Sequence, residues 1–127
     1  MTVGRSTSPT HQIGAVAEQQ AQAYLVERGF VLVAANVHCP WGEIDLVMQQ
    51  GALLVFVEVR ARRRSGFASA AESVTPAKQK KLIRTAEWFL AEYPAWAAYD
   101  CRFDVIAVNL SQHPMQLDWI EAAFMLS

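Results

Sequence analysis

Cysteine is nearly absent from this chain. Cys39 and Cys101 are the only two, and they stand in no Cys-x-x-Cys spacing. That excludes a disulfide-stapled scaffold and argues against a cysteine zinc site, leaving two free buried thiols. Long apolar runs are missing too: the best, over 52–57, stops at Glu58, so no segment reads as membrane-spanning. The first ten residues are mostly Ser, Thr, Gly and Pro without an apolar stretch, which argues against a signal peptide there. Residues 1–12 read as a flexible tail, 13–127 as a single domain, and the location as cytoplasmic. No internal repeat or low-complexity segment occurs. What is present in quantity is apolar residue content, 53%, which makes the chain globular rather than disordered.

An excess of charge of one sign is lacking as well, since the net charge is only -1. The balance conceals a segregation. Between Arg60 and Arg84 lie Arg60, Arg62, Arg63, Arg64, Lys78, Lys80, Lys81 and Arg84 against Glu72 alone, eight cations to one acid and a net of +7. The remainder, three cations to eleven acids, carries -8. A local basic block suits a polyanion such as nucleic acid, or a solvated face that keeps the chain soluble.

The acids that matter lie just before that block. Gly42-Glu43-Ile44-Asp45-Leu46 and Phe56-Val57-Glu58-Val59-Arg60 read as two strands, with Gln49, Gln50 and Gly51 as the turn. A turn centred on Gln50-Gly51 opposes Asp45 to Phe56, Glu43 to Glu58 and Leu46 to Val55. Ile44, Leu46, Met48, Leu53, Val55, Val57 and Val59 then share one apolar face, and Glu43, Asp45, Glu58 and Arg60 share the other. In that register Asp45 and Glu58 are diagonal neighbours, about 7 to 8 Å apart at the backbone, and could reach a common ion. The strand over 52–62 is apolar on both faces until Glu58, as a covered central strand is. An unpaired carboxylate there would cost several kcal/mol, so Glu58 must pair with a cation, bind a metal or be protonated. Arg60, two residues on, is the nearest structural partner.

Around this hairpin the chain predicts a helix over 11–28 with Ala17, Ala21, Tyr24 and Leu25 on its core face and Gly29 as its C-cap. Glu18 lies beside that face, where a carboxylate either reaches water or turns toward the sheet. A strand follows over 30–37, and His38 in the next turn is a weak ligand candidate. After a loop over 63–73, Thr75-Pro76 caps a second helix running to about Tyr93. Lys78, Lys80 and Lys81 fill its first two turns, where the dipole favours anions, so phosphate contact is one reading and a solubilising face the other. Strands over 101–110 and 115–124 complete an αβββαββ order, a mixed sheet flanked by helices. Arg102 with Asp104 reads as a structural pair.

These residues resemble the YraN family of bacterial proteins. The likeness rests on Gly42-Glu43-Ile44-Asp45-Leu46, Phe56-Val57-Glu58-Val59-Arg60-Ala61-Arg62, Lys78 and Arg102-Phe103-Asp104-Val105-Ile106, and spans about 14–124. It implies an α/β restriction-endonuclease-like fold, akin to Holliday-junction resolvases, with a PD-(D/E)xK nuclease signature. Asp45 then resembles the signature Asp, Glu58 the following acid, Arg60 the Lys position and Glu18 the acid on the first helix. Ile44 stands where the signature has Pro. At Arg60 the signature has Lys, and arginine stays protonated near pH 7, so it can orient or stabilise but not act as a base.

Two main readings follow, beside a weaker third in which the chain is a protein-interaction module whose basic face meets an acidic partner. In the first, the chain is a Mg²⁺- or Mn²⁺-dependent endonuclease on DNA, branched DNA included by fold analogy. Asp45, Glu58, the Val59 carbonyl and Glu18 form the metal site, Arg60 orients the nucleophile, and Arg62, Arg63, Arg64, Lys78 and Lys81 grip phosphates. In the second, it is a catalytically inactive nucleic-acid-binding or adaptor protein that keeps the fold. A homodimer is left open.

Overall fold

Ala17, Ala21 and Leu25 fall on one stripe of the first helix and are buried against the sheet. The computed structural model describes residues 9–62, 74–111 and 113–124. In chain order it contains α1 (Pro9–Glu27), β1 (Val31–Cys39), β2 (Gly42–Gln50), β3 (Leu53–Arg62), α2 (Pro76–Glu92), a 3-10 turn (Pro94–Trp96), β4 (Asp100–Asn109) and β5 (Gln116–Phe124). The strands form one five-stranded sheet ordered β1-β2-β3-β4-β5. All neighbours are antiparallel except β3 and β4, which run parallel and are joined through α2. This is the expected αβββαββ mixed α/β sheet, consistent with a restriction-endonuclease-like fold. No helix among the described residues is long and apolar enough to cross a membrane. The helix begins at Pro9, so residues 9–12, read as tail, are helical.

Two apolar layers sandwich the sheet. On one face α1 packs with Phe30, Leu46, Met48, Val55, Val57, Ile106 and Val108. On the other, Leu82, Ala86 and Phe89 of α2 pack with Val47, Leu54, Phe56, Phe103 and Val105. Central strands therefore bury both faces, which explains their continuous apolar runs. Gly29 ends α1 at φ 94°, with the Gly29 N–H donating to Val26 and the Phe30 N–H to Leu25 in a Schellman closure. Thr75 caps α2, its Oγ1 accepting from the Lys78 N–H at 3.3 Å, and Pro76 follows at the first helical position.

The β2–β3 register differs from the expected one. Leu46 opposes Val57, Val47 opposes Phe56 and Gln50 opposes Leu53, so the turn is Gly51-Ala52 rather than Gln50-Gly51. Gln50 stays in the strand because Gly51, at φ 59°, takes the strained turn conformation instead. The slip is two residues, which leaves every side chain from Leu46 onward on its expected face. Ile44 is the exception: it joins the cluster under α2, not the face of Leu46 and Met48.

Candidate active site

Pairing of β2 with β3 ends at Leu46 and Val57, although β2 continues beside β1 back to Gly42. One step further along that register Asp45 would oppose Glu58. Instead the ladder stops, and Asp45 Oδ2 accepts the Val59 N–H at 2.8 Å. A carboxylate has replaced the strand carbonyl that would satisfy this donor. The break in alternation at Ile44 and the opening of the ladder are one event. It leaves a cavity of about 370 Å³ lined by Gly42, Glu43, Asp45 and Glu58 from the hairpin and by Thr75, Ala77, Lys78, Lys81 and Leu82 from α2 and its cap.

Both acids are buried, Asp45 to 9% exposure and Glu58 to 7%. Burial pushes the Asp45 carboxyl up from 3.8 to about 8, and the neighbouring Glu58 charge adds to the rise. The Val59 hydrogen bond opposes it, while the charges of Glu18 and Glu43 contribute smaller increases. Glu58 Oε2 is 3.1 Å from Lys78 Nζ and 3.7 Å from Arg60 Nη1. Both cations are partly solvent-accessible, the carboxylate is not. The site thus holds two carboxylates in a poorly solvated corner, one of them already matched by cations.

The predicted residues are distributed unevenly. Asp45, Glu58, Lys78 and Lys81 line the same cavity. Val59 meets Asp45 through its N–H, and because a strand residue presents its N–H and C=O to the same side, its carbonyl also lies toward Asp45. Arg60 reaches Glu58 from outside the cavity lining. Glu18 is half-buried on α1; its charge acts on Asp45, but it is not among the cavity-lining residues. Among the described residues no three His, Cys, Asp or Glu groups gather closely enough to hold a metal ion. His38 faces Glu43 across the β1–β2 ladder, Nδ1 to Oε1 3.1 Å. The backbone of Arg62 pairs with Asn109, and Arg63 and Arg64 lie outside the described residues.

The sequence offers Lys78 either a phosphate or a solubilising role and names Arg60 as the nearest partner for Glu58, whereas Lys78 is also paired with that acid. The cap at Thr75 could have signalled this pairing, since it puts Lys78 in the first helical turn, the end of α2 nearest the hairpin. A larger hollow of about 700 Å³ lies along β1 and the C-terminal part of α2, bordered by Trp88, Tyr93 and Trp96. Asp45, Glu58, Lys78 and Arg60 are not among its lining residues.

A family model described as "Uncharacterised protein family UPF0102" matches residues 17–108, a span holding the hairpin, α2 and most of β4. The chain belongs to UPF0102. This is the YraN family that the motifs resemble. It is similar to a UPF0102 protein of Saccharophagus degradans, 46% identical over 117 residues, covering 92% of this chain and 96% of that one. A UPF0102 protein of Xanthomonas campestris pv. campestris is 50% identical over 115 residues, covering 91% and 93%. One from Acinetobacter baumannii is 42% identical over 127 aligned positions, covering 91% and 96%. The alignments thus extend over most of both chains, and the UPF0102 match includes every residue lining the acidic cavity.

Proposed function

We propose that this protein is a metal-dependent phosphodiester hydrolase acting on DNA. The observation that carries the reading is the buried Asp45–Glu58 pair where the β2–β3 ladder opens, beneath the lysine-bearing first turns of α2. The donor set fits a hard divalent cation: two carboxylates with a backbone oxygen beside them, in a corner where burial and mutual repulsion already hold Asp45 up at about 8. A dication would relieve both effects. Mg²⁺ commonly binds through only one or two protein carboxylates, with water and phosphate oxygens supplying the rest, so a third acid is not required. Mg²⁺ or Mn²⁺ would be held by Asp45, Glu58 and the Val59 carbonyl, with Glu18 behind them. Bound there, it would supply Lewis-acid stabilisation of charge on the phosphate.

The chain's own residues would do the rest. Asp45 is oriented by the Val59 N–H and Glu58 by Lys78 and Arg60, so neither carboxylate rotates freely. Lys78 and Lys81 present cations to a phosphate in the cavity. Lys80 and Arg84, exposed on α2, and the Arg62 to Arg64 run would neutralise flanking phosphates without reading sequence. Arg60 contributes charge and the planar donor fork of a guanidinium.

One observation favours the second reading, a DNA-binding or adaptor protein without catalysis. Glu58 has two cationic partners, enough to satisfy it structurally. The deciding measurement is cleavage of linear, flapped and four-way DNA with Mg²⁺, Mn²⁺ or EDTA, comparing wild type with Asp45→Asn and Glu58→Gln. Metal-dependent cutting lost in both variants is the expected result. Salt-sensitive binding with no cutting under any metal would replace the hydrolase by the non-catalytic binder.

A further inference from the structure

The hairpin that joins β1 to β2 turns through Pro40 and Trp41, immediately before the cavity-lining Gly42. Of the four tryptophans, Trp41 alone is exposed, at 45%. The loop lies against α2: a Cβ at Gly42 would come 3.6 Å from Lys81 Cβ and 3.4 Å from Thr85 Oγ1. One helical turn beyond Lys81, the Arg84 guanidinium sits over the Trp41 ring, 5.7 Å from its centroid. A large aromatic surface is therefore left in water at the lip of the acidic cavity, backed by one cation and next to another.

Solvent disfavours that arrangement, since indole surface is stabilised by burial. The hairpin does not need it, because β1 and β2 are already paired down to Cys39 and Gly42. An aromatic ring flanked by Arg and Lys is the combination that holds a single strand: the cations follow the phosphates and a base stacks on the ring. A paired base inside a duplex has both faces covered by its neighbours, so only an unpaired or terminal base can use such a surface.

We infer that Trp41, backed by Arg84, is a stacking platform for an unpaired nucleobase, and that the substrate class is DNA carrying an unpaired nucleotide next to the phosphate held at Asp45 and Glu58. This rests on the DNA-hydrolase reading and narrows its substrate. Lys81, which lines the cavity one turn before Arg84, supplies the phosphate contact between the two points.

The test is binding of fluorescein-labelled DNA by anisotropy in EDTA at fixed salt. The probes are a 20-nucleotide single strand, a duplex with a single-stranded flap and a blunt duplex, with wild type, Trp41→Ala and Trp41→Phe. Trp41→Ala should weaken the single strand and the flap about tenfold, within the range for one lost stacking contact, and the blunt duplex less than twofold. Trp41→Phe should retain most of the affinity. Quenching of tryptophan emission by oligothymidylate, present in wild type and reduced in Trp41→Phe, gives a second readout that does not depend on the alanine variant folding. Equal losses on all three probes, or unchanged quenching in Trp41→Phe, would overturn the platform. Those results leave the hydrolase intact if Asp45→Asn still abolishes cutting. Conversely, selective loss on single strands without any metal-dependent cutting keeps the platform and removes the hydrolase.

Discussion

Lys78 Nζ stands 3.1 Å from Glu58 Oε2, closer than the Arg60 guanidinium at 3.7 Å from the same oxygen. Among the described residues, the cation nearest the second acid of the site thus comes from the first turn of α2 and not from the strand that carries the acid. Arg60 lies two residues from Glu58 in sequence; Lys78 arrives from twenty residues away through the fold. A primary amine, unlike a guanidinium, is a compact point charge with three rotatable donors.

On the hydrolase reading, Lys78→Ala should therefore be the more damaging change. We expect it to lower the cleavage rate about 100-fold, in the range for removing one charge-stabilising donor, while Arg60→Lys stays within about fivefold of wild type. Lys78 is more than a third exposed, so its loss should cost only about 1 kcal/mol of stability. Single-turnover rates, with urea melts run alongside, separate the two effects. If Arg60→Lys proves the worse variant, Lys78 is merely a structural partner.

Asp45 predicts a pH dependence of stability. Its carboxyl is raised from 3.8 to about 8 in the folded chain, first by burial and then by Glu58. A raised carboxyl binds its proton more tightly when folded, so its stabilising contribution is complete below 3.8, falls as pH rises and is gone above about 8. In EDTA, wild type should lose melting temperature relative to Asp45→Asn between pH 5 and pH 8, by several degrees in all. On the hydrolase reading, adding Mg²⁺ or Mn²⁺ at pH 8 should restore a few degrees to wild type and nothing to Asp45→Asn, because the proposed ion site needs the Asp45 carboxylate. Thermal denaturation across that pH range checks both.

The hairpin shows what could be read in advance and what could not. Alternation in β2 and β3 fixed which residues share a face, and a two-residue slip of the turn preserves that parity, so Asp45 and Glu58 were legible as companions even though their expected partners were wrong. Nothing in strands buried on both sides distinguishes a turn at Gln50-Gly51 from one at Gly51-Ala52. Ile44 was misassigned because alternation holds only while the ladder does, and the ladder opens at Asp45 to hand the Val59 N–H to a side chain. The ion pair of Lys78 was invisible for a different reason: it depends on where α2 crosses the sheet, a long-range outcome with no local pattern.

Gly29 supports the closure of α1 and touches no part of the site. At φ 94° an alanine is strained, and its Cβ would come within 3.0 Å of Gln50 Nε2. That amide donates to the Arg28 carbonyl at 2.9 Å, so displacing it also frees a helix-terminal acceptor. Gly29→Ala should cost about 1 to 2 kcal/mol, seen as a lower urea midpoint with an unchanged slope. On the hydrolase reading, cleavage and DNA affinity measured well below the midpoint should match wild type.

Asp104 carries the largest structural role predicted for any single side chain. It is 1% exposed, and its two oxygens accept four hydrogen bonds. Arg102 donates through Nε at 2.8 Å and Nη2 at 2.9 Å, Trp119 through Nε1 at 2.9 Å and the Ala122 backbone N–H at 2.9 Å. The last two come from β5, where the β4–β5 register shifts and Ala122 takes φ 50°. The carboxylate thus fastens an irregular edge strand to a central one, and supplies the partner that the irregular ladder does not give Ala122. Asp104→Ala would leave a guanidinium and two other donors without it, a cost of about 3 to 5 kcal/mol. Asp104→Asn keeps an acceptor but loses the charge that attracts Arg102, and should fall between the two. Hydrogen exchange should show the loss of protection first at Ala122 and its β5 neighbours, before the β2–β3 hairpin opens. Uniform loss across the sheet would mean that β5 is held by its apolar contacts and not by Asp104.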